Sequence, residues 1–92
     1  RNPMTRREER LAARLAATLD GTLTVAAARH LMAQGLLDTR ACERRIARRR
    51  MDELASGGCP RCGAMYAVAE ELGCSYAKVK TLYYESFQKD QP

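Results

Sequence analysis

Residues 65–84 read MYAVAEELGCSYAKVKTLYY. Met65, Val68, Ala69 and Leu72 recur at i, i+3, i+4 and i+7, the inner stripe of an amphipathic helix. Gly73 interrupts that stripe. Ser75 stands where a side-chain oxygen accepts from the free amides of a new helix. A second inward run then follows through Tyr76, Val79, Leu82, Tyr83 and Phe87. Two helices joined by so short a turn cross steeply, and their backbones nearly touch beside it. The small Ala69 permits that approach. The turn needs a positive φ at Gly73, which costs little only without a Cβ.

Residues 65–84 also resemble the helix-turn-helix family of phage repressors and many bacterial regulators. Counted from Met65, the family's small fifth position is Ala69 and its glycine at the ninth is Gly73. Its apolar positions, the fourth, eighth, tenth, fifteenth and eighteenth, are Val68, Leu72, Cys74, Val79 and Leu82. The resemblance implies that the second helix enters the major groove of DNA and reads base edges with its N-terminal half. Carried over by position, the reading side chains are Ser75, Tyr76, Ala77, Lys78, Lys80 and Thr81, with Tyr84 one turn beyond Lys80. Lys78 and Lys80 meet bases or phosphates, and Tyr76 and Ala77 touch thymine methyls. Without the resemblance, the same stretch reads as an antiparallel helix pair closed by a glycine turn.

Upstream, Asp38 or Thr39 caps a helix over 40–55 with Cys42, Ile46, Ala47, Met51 and Leu54 facing inward. It is the most basic segment of the chain. Arg44, Arg45, Arg48 and Arg49 on it are candidate phosphate contacts, which position a protein on DNA without specifying sequence. A basic helix ahead of a terminal helix-turn-helix is similar to the Mor-type middle-operon activators of transposable phages. That looser resemblance covers about the last half of the chain, and the stretch SGGCPRCGAM at 56–65 departs from it.

Two further helices are expected nearer the N-terminus. Thr5 and Glu8 stand at capping-box spacing ahead of a helix to Leu19. Leu11, Leu15 and Leu19 form a ladder on it, a candidate dimerisation surface. Asp20-Gly21 ends that helix. Thr24 caps the next, 25–34, and Gly35 closes it. Arg1, Asn2 and Pro3 ahead of Met4 read as an expression-tag remnant, with Met4 as the natural start. The tail from Lys89 to Pro92 is polar and expected to fray.

The chain has 92 residues, 46% apolar and 29% charged, which suits a single small folded domain. Its helix formers and scarce β-branched residues predict an all-α fold of about five helices. Residues 4–35 form an N-terminal helical pair, and 39–88 the basic helix plus the helix-turn-helix. The net charge of +5 favours an anionic partner, and double-stranded DNA is the partner expected. A homodimer is expected too, since one recognition helix carries limited specificity. No apolar run approaches a membrane span or a signal core, so a cytoplasmic protein is expected.

Cys59-Pro60-Arg61-Cys62-Gly63 looks like one knuckle of a zinc ribbon, but a structural zinc site needs four ligands and no second Cys-x-x-Cys exists. Cys42, Cys74 and the single His30 are the remaining candidates. The two cysteines are read as small buried hydrophobes and His30 as a partly exposed histidine. No metal or other cofactor is therefore expected. No nucleophile with a base, paired acids or phosphate loop can be assembled, so no enzyme activity and no small-molecule substrate are expected. The alternative to DNA binding is a helical protein-interaction module, an adaptor or inhibitor.

Overall fold

A computed structural model describes residues 4–90; Arg1 to Pro3, read above as a tag remnant, and Gln91 and Pro92 lie outside the described residues. The chain is all-α. Its five helices are α1 (Arg6–Thr18), α2 (Val25–Ala33), α3 (Thr39–Ser56), α4 (Arg61–Leu72) and α5 (Tyr76–Lys89).

Four of the five begin at a side-chain cap expected from sequence, and of the two offered for α3 the cap is Asp38. Thr5 Oγ1 accepts from the Glu8 amide while the Glu8 carboxylate accepts from the Thr5 amide, closing the capping box. Thr24, Asp38 and Ser75 accept from the amides of Ala27, Ala41 and Lys78 at 3.0–3.1 Å. Each such cap stabilises its helix by about 1 kcal/mol. The exception is α4, which follows Pro60 with no side-chain cap hydrogen bond.

α4 lies at the centre of the core. Ala64, Met65, Val68, Ala69 and Leu72 are all buried, and they pack with Ile46, Ala47 and Met51 of α3 and Val79 and Leu82 of α5. α1 closes the core with Leu11 and α2 packs onto α1. Leu15 and Met32 pack against the same cluster from its edge.

Three expectations change here. The leucine ladder of α1 is spent inside the molecule: Leu11 is 4% exposed and Leu15 packs on the core, leaving only Leu19 outward at 44%. It therefore holds α1 to its own chain, with Leu15 and Leu19 bordering a groove beside α3. The tail is tied down as far as Asp90, whose carboxylate meets the Arg44 guanidinium at 3.3 Å. Of the inward run read for α5, Tyr76 and Tyr83 pack at the core edge, whereas Phe87 is exposed, as are Tyr66 and Tyr84.

Candidate nucleic-acid interface

α4 stops at Leu72. Gly73 takes a left-handed conformation (φ 67°, ψ 37°), and Ser75 opens α5 two residues later. The amides of Gly73 and Cys74 return to the carbonyls of Glu70 and Ala69, which satisfies the end of α4. One contributor was invisible in the sequence. Arg10, from α1, reaches over the turn and donates from Nη1 to the Glu70 carbonyl at 2.7 Å. A Cβ at Gly73 would meet the Arg10 Cδ at 2.8 Å, so the φ calls for glycine and any larger residue would also have to push the flexible Arg10 side chain aside. A cation at this end of α4 also complements the helix dipole.

α5 turns Val79, Leu82 and Ser86 inward. Ser75, Ala77, Lys80, Thr81 and Tyr84 are exposed, and Tyr76 and Lys78 are half-buried. Ala77, Lys80, Thr81 and Tyr84 make one outward stripe at helical spacing. It carries one cation and no carboxylate, and among the described residues no ion pair engages Lys80. The Thr81 hydroxyl donates back to the Ala77 carbonyl at 3.0 Å. α4 contributes an adjoining edge: Tyr66 packs on Tyr76 with ring centres 4.6 Å apart, and Arg61 donates to the Tyr84 hydroxyl at 3.4 Å. The Tyr76 hydroxyl donates to the Cys62 sulfur at 3.7 Å. Losing that bond on ionisation raises the Tyr76 pKa.

The arginines of α3 are not gathered beside that stripe. Arg40, Arg44 and Arg48, four residues apart, face α5. Arg40 pairs with Glu85 at 2.7 Å, and Arg44 with Glu85 and Asp90. Arg48 pairs with Asp52, donates to the Ser86 hydroxyl and lies 3.7 Å from the centre of the Phe87 ring. On the other side Arg50 makes a two-pronged bond to Glu71 at 2.8 and 2.9 Å. Arg45 and Arg49 stay outward, bordering a groove between α1 and α3, and Arg49 pairs with Glu53. Of the four expected phosphate contacts, Arg44 and Arg48 thus bind the protein's own groups, and Arg45 and Arg49 border the α1–α3 groove.

The carboxylate Glu43 was missed in the sequence. It is 6% exposed and sits between three helices. Arg7 of α1 donates to it from Nε at 3.0 Å and from Nη2, and the Lys78 ammonium of α5 stands 3.9 Å away. Lys78 is therefore partly held by the protein's own charge. The available signal was position: Glu43 lies among Cys42, Ile46 and Ala47 on the inner side of α3. No sequence rule pairs such a residue with an arginine 36 positions earlier.

Cys74, in the turn, is half-buried against the core, and burial raises its thiol pKa, as it does for Cys42. Among the described residues no three His, Cys, Asp or Glu side chains are placed to hold a metal ion. Comparison with protein-family models, curated proteins and solved structures finds no match for this chain.

Proposed function

We propose that this chain is a sequence-specific double-stranded-DNA-binding protein, a cytoplasmic transcriptional regulator of phage or mobile-element type acting as a homodimer. The observation that carries the reading is the break at Gly73, which releases α5 with its Ala77–Lys80–Thr81–Tyr84 stripe outward and free of carboxylates. Such a stripe fits the width of a major groove. The +5 charge supplies long-range attraction to phosphate.

The test is selection of bound duplexes from a random pool, followed by titration with salt. A sequence logo is expected, and log affinity should fall linearly with log salt. Lys80→Ala should lower the salt slope by about one if Lys80 meets phosphate, or relax one position of the logo if it meets a base. Absence of binding to any duplex at low salt would refute the proposal.

One observation favours a second reading, a protein-interaction module. Arg40, Arg44, Arg48 and Arg50 are engaged with the protein's own carboxylates, which leaves fewer cations for phosphate than the composition implied. The exposed Tyr66, Tyr84 and Phe87 are the residue type that anchors protein interfaces.

A further inference from the structure

Cys59 and Cys62 stand three residues apart at the start of α4. Cys59 packs against the edge of the core cluster, as Cys42 and Cys74 do elsewhere on it. Cys62 is exposed on the first turn of α4. Cys59, half-buried, folds its sulfur over the same turn: it lies 3.5 Å from where a Cβ of residue 63 would stand. The Cys59 thiol donates to the Pro60 carbonyl at 3.6 Å. The first amides of any helix lack intrahelical acceptors, and α4 alone among the five helices has no side-chain oxygen to take them. A metal-bound thiolate sulfur is an acceptor suited to that position. The Tyr76 hydroxyl already donates to Cys62 at 3.7 Å, the kind of outer bond that orients a ligating group. Arg61, between the two cysteines in sequence, brings a cation to the same turn, where its guanidinium donates to the Tyr84 hydroxyl.

Zinc held structurally takes four ligands in a tetrahedron. One chain offers two, and among its described residues no third His, Cys, Asp or Glu completes a set. The deficit is two thiolates, which is what a second copy of the same pair supplies. We infer that Cys59 and Cys62 form half of a zinc site completed by a second copy of this chain, a four-thiolate centre on a two-fold axis. A two-fold interface presents the same patch from both copies, so an exposed pair on a helix end meets its own image. Four thiolates and one zinc carry a net charge of minus two, and the Arg61 guanidinium from each copy offsets it. Binding displaces the four thiol protons to solvent, so affinity rises with pH. This inference stands on the cysteine pair and does not depend on DNA binding.

The test uses the full chain, reduced and stripped of metal, titrated with zinc chloride. Metal content and mass by light scattering are read on the same samples. Expected are one zinc per two chains, dimerisation on zinc addition and return to monomer with a chelator. Cobalt in place of zinc should give the intense visible absorption of tetrahedral thiolate coordination. Cys59→Ser and Cys62→Ser should each abolish zinc-dependent dimerisation, with helicity by circular dichroism unchanged. Cys42→Ser serves as the control that keeps it. One zinc per monomer, no zinc uptake at micromolar metal, or a dimer indifferent to chelator and to both substitutions overturns the inference. Duplex binding measured alongside reports on the DNA reading separately.

Discussion

Gly73 illustrates how one position answers to two constraints. Its φ of 67° strains any residue with a Cβ, and the Arg10 side chain fills the space that Cβ would need. Gly73→Ala should therefore destabilise the fold by about 2 kcal/mol, from αL strain plus displacement of Arg10. In a domain of this size that lowers Tm by about 10 °C. Arg10→Ala in the same background should recover only the crowding part, and denaturant unfolding of the single and double variants separates the two contributions. Glu43 makes the opposite case, a charge placed among apolar neighbours. Glu43→Ala leaves Arg7 without its carboxylate, and the cost should be about 2 kcal/mol, reduced from a fully buried pair because Arg7 is partly exposed. A loss indistinguishable from that of an exposed surface glutamate would show that the three-helix pairing contributes nothing.

Between elements, α3 is attached to its neighbours by guanidinium–carboxylate pairs around an apolar centre. Arg50 holds the Glu71 carboxyl below its ordinary value of 4.5, and hydrogen bonds from Arg40 do the same for Glu85. A carboxyl whose native pKa is depressed binds fewer protons folded than unfolded. Its stabilisation is complete above the ordinary value and is lost as pH falls through the native one. Tm should therefore stay level with respect to these groups from pH 7 to about 5 and fall below that. Glu71→Gln should lower Tm at neutral pH, through loss of about 1 kcal/mol, and flatten the acid limb. A parallel acid limb in the variant would remove Glu71 from the account. The arginine spacing of α3 was legible in the sequence as a basic face. Its use was not, because four-residue spacing names a helix side without naming what lies opposite.

For the whole molecule, the division into an N-terminal pair and a C-terminal motif does not describe how the chain is held together. Leu11 belongs to the shared core, Arg7 grips Glu43 of α3, and Arg10 closes the end of α4. A fragment beginning at Asp38 should lose cooperative unfolding, as read by calorimetry, because it opens the core and orphans Glu43. A fragment with an unchanged transition would mean the first two helices are an appendage. Thiol accessibility follows the same layout. In the metal-free protein Cys62, exposed, should react fastest with an alkylating reagent. Cys42 and Cys74, whose pKa values burial raises, should react slowly. Mass-resolved labelling would expose a wrong assignment directly.

Helix number, the caps at Thr5, Thr24 and Ser75, the turn at Gly73 and the exposure of Ala77, Lys80, Thr81 and Tyr84 followed from the amino-acid order, whereas Phe87, read as inward, is exposed. They depend on interactions reaching no further than four residues along the chain: the period of apolar side chains, a cap oxygen, a missing Cβ. The partners of charges separated by 20 to 60 positions were decided by packing alone. Arg10 over the turn, Glu43 among three helices and Arg44 against Asp90 exist because the core brings distant helices together, and a carboxylate withdrawn from water takes whichever cation that packing sets beside it.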